Sequence, residues 1–223
     1  MKKITKLFVL AALLMAGSQI YAQEEHEYVD LGLPSGTLWA TCNLGATTPE
    51  GYGDYFAWGE TIPKDTYDWK TYIYCYEDWQ SMLTKYCNKP RKGYNGVADN
   101  LTILQSGDDA ATANWGDEWC TPTKEQWEEL DKQTTSKWLT SNGVEGRLYT
   151  SKINGASIFL PKAGYRWGRE LQMAGYQAYY WSRSLCTDDP SLAMCYFVNP
   201  ARWWVTGINR GNGCSVRPVR SAQ

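Results

Sequence analysis

The chain has 223 residues, a net charge of −2, seven cysteines and one histidine. Without its first 22 residues, which hold three lysines and no acid, 19 basic residues stand against 24 acidic ones, a net charge of −5. A mildly acidic chain has no bulk attraction for nucleic acid or anionic lipid. The lone His26 argues against most catalytic triads and histidine-rich metal sites. We therefore expect no enzyme, no cofactor, no metal and no nucleic-acid partner.

The N-terminus has the pattern of a secretory signal peptide. A basic start with three lysines is followed by an uncharged apolar run over residues 7–16. That run is shorter than the ~20 apolar residues that a transmembrane helix needs. We predict that residues 1–22 are cleaved off after Ala22, leaving 23–223 as a single domain without stable membrane insertion. The mature protein is then secreted, periplasmic or on the cell surface. A retained N-terminal anchor is the alternative.

Short strands come first along the mature chain, separated by turns rich in glycine and proline. Aromatic and β-branched residues favour strands at 28–31, 37–42 and 55–58. The stretch 60–97 keeps neither a helical nor a strand period over any length, which predicts a long irregular loop.

Two helices are predicted in the middle of the chain. The first spans 108–114, where two aspartates suited to a helix start precede a run of alanines. The second begins after Thr123, because Gln126 three residues later completes a capping box, and it ends near Gln133.

Beyond the second helix the sequence predicts a series of short strands. The candidates are 147–150, 157–160, 179–184, 194–198 and 214–219. Asn154-Gly155 is a typical hairpin turn between two short apolar segments. N-terminal strands, central helices and a C-terminal antiparallel run together indicate an α+β class.

Export permits disulfides, and the odd number of cysteines leaves at least one of them without an intrachain partner. Chain separation alone favours the pairs Cys75–Cys87 and Cys186–Cys195. Isolated buried thiols are the alternative, and Cys42 is expected to be one.

Two pairs of adjacent aspartates, 108–109 and 188–189, are the remaining candidates for acid–base chemistry or calcium binding. Side chains that are adjacent in sequence usually diverge, so neither pair has the geometry of a glycosidase site. The spacing does not match an EF-hand loop either. For the first pair we favour helix capping.

Several ordered segments together resemble a known family. They are YVDLGLPSGTLWATCN (28–43), GYGDYFAWGE (51–60), DDAATANWG (108–116), TPTKEQWEEL (121–130), IFLP (158–161), AGYR (163–166), YWS (180–182) and SVRPVR (215–220). The set is similar to the Fibrobacter succinogenes major paralogous domain, found in exported proteins of Bacteroides-type bacteria. The resemblance implies a C-type-lectin-like fold, in which an antiparallel β-sheet and two helices support long irregular loops.

The chain departs from the family pattern mainly near its C-terminus. Cys120 and Arg183 stand where the family usually has Arg and Ser, and the segment 183–214 differs in composition. Similar segments on this fold are the diversified regions of variable proteins made by diversity-generating retroelements. The resemblance therefore implies a patch that selects a protein or glycan ligand. We assign that patch to Tyr179, Arg183, Tyr196, Arg202, Trp203 and Trp204.

Adjacent Trp203 and Trp204 on a strand point to opposite faces, so we expect one in the core and the other outward. An outward Trp beside Arg202 has the character of an interface hot spot, and an ordinary sheet edge is the alternative. Arg217 and Arg220 belong to the framework motif, where we expect structural hydrogen bonds.

These features predict an exported binding module. A structural subunit of a surface assembly, such as a pilus tip, would use the same patch to contact neighbouring subunits. An enzyme related in fold to formylglycine-generating enzymes is the third alternative, and it requires converging acids or a reactive cysteine pair in a deep pocket.

Overall fold

The computed structural model describes residues 26–201 and 203–221. Within these ranges the chain forms eleven strands in four small sheets, with two α-helices. The signal peptide predicted at 1–22, with its cleavage site after Ala22, lies outside the described residues, and so does Arg202. None of the described helices combines the length and apolar character needed to cross a bilayer.

The strands are β1 (Tyr28–Asp30), β2 (Thr37–Ala40), β3 (Thr134–Ser141), β4 (Val144–Ser151), β5 (Ser157–Pro161), β6 (Tyr165–Trp167), β7 (Glu170–Gln172), β8 (Ala178–Leu185), β9 (Leu192–Val198), β10 (Trp203–Asn209) and β11 (Val219–Ser221). The α-helices are α1 (Ala110–Trp115) and α2 (Lys124–Gln133), and short 3-10 helices cover Pro90–Lys92, Tyr94–Gly96 and Ser106–Asp108. The sheets are β1–β2–β11, β3–β4–β5, β6–β7 and β8–β9–β10, and their strand pairs are antiparallel.

Local signals place both helices and one hairpin correctly. Asp109 caps α1 by accepting hydrogen bonds from two backbone amides of the first turn, which confirms the capping interpretation. Thr123 and Gln126 form the predicted capping box of α2. The Asn154-Gly155 turn joins β4 to β5, with Gly155 at φ 78°, a conformation that glycine adopts without strain.

The predicted α+β, C-type-lectin-like fold is wrong for this chain. Helices α1 and α2 contain only 6 and 10 residues, too few to form a helical layer. The segment after α2 is not a loop but strand β3, because its β-branched and aromatic residues pair with β4 along the whole of 134–141. The described chain is therefore mostly β, with strands divided among four small sheets instead of one.

Other strand predictions are only partly correct. The expected strand at 55–58 is reduced to one bridge between Phe56 and Cys214, and the expected strand at 214–219 persists only as β11. The sequence pattern does not predict β6 and β7, which are three residues long. The stretch 60–97 is irregular as predicted, with 3-10 turns and isolated bridges.

The β8–β9–β10 sheet carries a hydrophobic cluster on each face. Trp181 and Cys195 point into one cluster, whereas Tyr180 and Tyr196 point into the other, as strand alternation requires. Helix α2 covers the second face, where the Trp127 ring stacks on the Tyr196 ring at 4.6 Å. Helix α2 therefore buries Tyr196, whereas Ala193 and Cys195 are buried in the cluster on the opposite face.

Two fully buried arginines connect the C-terminal segment to the rest of the chain. Arg217 donates hydrogen bonds to the side-chain oxygen of Asn43 and to three backbone carbonyls, which confirms its predicted structural role. Arg210 donates to the Tyr72 phenol and to three other carbonyls. Arg220 forms an ion pair with Glu118 at 3.1 Å.

Candidate functional site

Trp203 and Trp204 occupy opposite faces of strand β10, as predicted. In the register of the sheet, Trp203 lies opposite Val198 and Trp204 lies opposite Phe197. Both tryptophans are half-buried, so the expectation of one core and one outward residue is only partly correct. The two indoles therefore contact different sets of side chains.

Trp204 begins a row of aromatic rings that crosses the sheet. Its ring centroid lies 4.6 Å from that of Phe197, which lies 4.8 Å from Tyr179, which in turn lies 4.8 Å from Tyr165 on β6. We call Tyr165, Tyr179, Phe197 and Trp204 the aromatic row. Phe197 is buried and the other three are half-buried, so the row presents ring surface to solvent while its interior contacts hold it in place.

Trp203 belongs to an alternating series of cations and aromatic rings on the opposite face. The Arg147 guanidinium carbon lies 3.5 Å from the Trp203 ring centroid and 5.1 Å from that of Trp138. The Lys162 ammonium lies 4.7 Å from the Trp138 centroid and 2.5 Å from a Glu145 carboxylate oxygen. We call Trp203, Arg147, Trp138 and Lys162 the cation–aromatic stack. Both cations are buried, which strengthens such contacts.

Sequence reasoning missed the cation–aromatic stack. Arg147 and Trp138 are cross-strand partners on β4 and β3, and both are distant in sequence from Trp203. Beside them lies a groove of ≈ 270 Å³. Its lining residues are Trp138, Leu139, Thr140, Glu145, Gly146 and Lys162. The one local signal available was the placement of Arg147 two residues before Tyr149 on β4, which puts both side chains on the same face of the strand.

Tyr196 does not lie on a surface, so its assignment to an exposed patch is wrong. Only 1% of its surface is exposed, because β9 turns this side chain toward α2. Its phenol lies 3.0 Å from the Tyr149 phenol and 3.3 Å from an Asp131 carboxylate oxygen. Burial raises the pKa of Tyr196 well above its ordinary value.

Arg183 is also wrongly assigned, because it is half-buried between the buried Ser182 and Ser184 and supports helix α1. Its Nη2 donates to the Leu104 carbonyl at 2.7 Å, and its Nε lies 3.7 Å from the Asp109 carboxylate. Burial raises the pKa of Asp109, while hydrogen bonds from Thr121 and the charge of Arg183 oppose that shift. Of the six predicted patch residues, three lie in the two clusters around β10: Tyr179, Trp203 and Trp204.

The aspartates at 108–109 have structural partners. Asp108 accepts hydrogen bonds from Lys85, Tyr74 and Tyr86. Although burial acts in the opposite direction, these bonds lower the pKa of Asp108. In the part of the chain that the structure describes, no group of three His, Cys, Asp or Glu side chains has the arrangement to hold a metal ion.

All seven cysteines are free thiols, so the predicted pairs Cys75–Cys87 and Cys186–Cys195 do not form. Cys195 instead shares a hydrogen bond with Cys214, and both are fully buried. Cys42 is an isolated thiol as expected, but it is half-buried and donates to the Ala46 carbonyl. Burial raises the pKa of Cys42 and of Cys214, which makes both thiols poor nucleophiles.

A cavity of ≈ 770 Å³ lies beside His26, the first residue that the structure describes. His26 stacks there on the Trp115 ring at a centroid distance of 3.8 Å. The cavity also contains the side chains of Asp54, Asp117 and Glu118. None of the predicted patch residues lines it.

Comparisons with protein-family models, curated proteins and solved structures found no match. The resemblance to the Fibrobacter succinogenes major paralogous domain therefore stays a prediction that depends on the sequence segments quoted above.

Proposed function

We propose that this protein is an exported, non-enzymatic binding module that recognises a protein or glycan through the aromatic row. Four rings in contact cross one face of the β8–β9–β10 sheet, and three of them are half-buried. Tryptophan and tyrosine at such a surface provide a large contact area with little loss of side-chain entropy. This row is the observation that carries the proposal.

The groups in the aromatic row suit binding better than acid–base catalysis. Burial raises the pKa of Tyr179 well above its ordinary value, so its phenol stays protonated at neutral pH. That phenol donates a hydrogen bond to Gln177 at 2.8 Å, which orients the ring within the row. A protonated, oriented phenol serves as a hydrogen-bond donor and not as a nucleophile.

Diversification by a retroelement remains part of the proposal. The segment 183–214 includes β9 and β10, so substitutions there would alter Phe197 and Trp204 directly. The buried Arg210 lies in the same segment and would have to stay constant, because its guanidinium is bonded to other parts of the chain.

The test is a protein and glycan array with the mature chain, followed by Trp204→Ala. We expect at least tenfold weaker binding to any array hit, with the melting temperature lowered by only a few degrees. The matched control is Trp79→Ala, because Trp79 is 64% exposed and lies outside the row. Unchanged binding by the Trp204 variant would reject this surface.

Self-association distinguishes the binding module from a subunit of a surface assembly. Size-exclusion chromatography with light scattering should find a mass that does not depend on concentration. If the wild type oligomerises and Trp204→Ala abolishes the oligomers, the row is a contact between subunits and the proposed function is wrong.

A further inference from the structure

A second groove lies on the other side of the β6–β7 hairpin. Tyr165 points from this hairpin into the aromatic row, whereas its neighbour Arg166 points to the opposite face, where it lines a groove of ≈ 470 Å³. The remaining walls come from the loop at 53–67 and from Arg169 at the hairpin tip. The groove is therefore separate from the proposed aromatic surface.

Two arginines in this groove have no acidic partner among the residues that the structure describes. Arg166 Nη1 contacts only the Arg169 carbonyl, at 3.5 Å, and Arg169 Nε contacts the Thr66 hydroxyl at 3.4 Å. Both bonds are long. The Arg166 guanidinium lies 5.2 Å from the centroid of the Tyr55 ring, which forms a flat support beneath it.

The groove also contains one lysine and two carboxylates. Lys64 forms an ion pair with Glu60 at 2.8 Å and donates to the Thr71 carbonyl. The Asp54 carboxylate lies against Gly45, where an added Cβ would be 2.3 Å from its oxygen. Asp65 is exposed. The groove therefore holds two arginines without an ion-pair partner among the described residues, together with the Asp54 and Asp65 carboxylates.

The geometry points to a binding site for an acidic saccharide, whose carboxylate or sulfate group would lie between Arg166 and Arg169. A guanidinium presents its donors as a planar fork that matches such oxyanions. The Asp54 and Asp65 carboxylates can accept hydrogen bonds from sugar hydroxyls, which the side chains of an acidic polypeptide such as poly-L-glutamate do not offer. This difference favours a saccharide over an acidic polypeptide.

The test measures binding of the mature chain to four polymers at low salt: polygalacturonate, dextran sulfate, neutral dextran and poly-L-glutamate. We expect binding to both acidic polysaccharides, none to neutral dextran, and at least tenfold weaker binding to poly-L-glutamate. The double variant R166Q/R169Q should bind the acidic polysaccharides at least tenfold more weakly than the wild type. R166K should lose less affinity, because it keeps the positive charge although it loses the paired donors of the guanidinium.

The matched control is R91Q/K132Q, which removes the same charge from two exposed positions outside the groove. Melting curves of both double variants check that the fold is intact. An equal loss in the control, equal binding of poly-L-glutamate, or no binding of either acidic polysaccharide would overturn the assignment. Trp204→Ala should leave this binding unchanged, so failure of the aromatic surface and failure of this groove are separable.

Discussion

Trp203 and Trp204 are neighbours on one strand, yet their surroundings differ in kind. Trp203 lies against the buried Arg147 in the cation–aromatic stack. Trp204 contacts Phe197 at the end of a row that continues to half-buried tyrosines. Trp203 therefore packs on a buried cation, whereas Trp204 packs on an aromatic ring, and we propose that Trp204 is the one that contacts a ligand.

Removing Arg147 should have the largest effect on stability. Arg147→Met would lose the contacts of the guanidinium with the rings of Trp138, Tyr149 and Trp203, and its hydrogen bond to Ser136. We expect a loss of about 3 kcal/mol in the free energy of unfolding, measured by urea denaturation. A loss below about 1 kcal/mol would show that the stack contributes little.

Trp203→Ala should lower the free energy of unfolding by about 2 kcal/mol, because the indole is half-buried and not fully buried. In a double-mutant cycle with Arg147→Met, the two changes should couple by about 1 kcal/mol or more. Additive effects would contradict a direct stacking contribution.

Trp204→Ala should lower the free energy of unfolding by about 1 kcal/mol, because the indole is half-buried and its edge-to-face contact with Phe197 is lost. Its effect on ligand binding should be much larger than that of Trp203→Ala. Equal effects of the two variants on affinity would remove the proposed difference between the two faces of β10.

Tyr179→Phe should have the smallest effect at neutral pH, about 0.5 kcal/mol, because only the bond to Gln177 is lost. Burial raises the pKa of Tyr179, so its contribution is complete below the unfolded value near ~10 and declines as the pH rises above it. The wild type should therefore lose more stability than the variant between pH 9 and pH 11. Chemical denaturation of both proteins at both pH values measures this difference. An equal loss of unfolding free energy in the wild type and the variant would contradict the prediction.

The parts of the fold that depend on neighbouring residues were predictable from the sequence. The capping residues Asp109 and Thr123 act within one helical turn, and the opposite orientations of Trp203 and Trp204 follow from strand geometry. The burial of Tyr196 was not predictable, because it depends on α2, which packs on one face of β9 from a distant part of the chain. The partners of Trp203 were missed for the same reason.

The predicted fold class was wrong for a different reason. Each strand pattern is local, but the division of strands into separate sheets depends on which edges meet. Strand β3 shows this clearly, since the residues after Gln133 pair with β4 to build a sheet of their own. Likewise, nothing in the sequence around Arg166 and Arg169 indicates that these arginines have no acidic partner.

The bonds of Arg210 limit how much of the C-terminal segment can be replaced without breaking a buried contact. One guanidinium is bonded to the Tyr72 phenol and to the carbonyls of Lys85, Tyr86 and Pro190, so it joins three distant stretches of chain. A graft that replaces residues 192–209 leaves this junction intact, whereas a graft extended by one residue breaks it. A replacement that preserves the bonds of Arg210 would therefore have to end at Asn209 or before it.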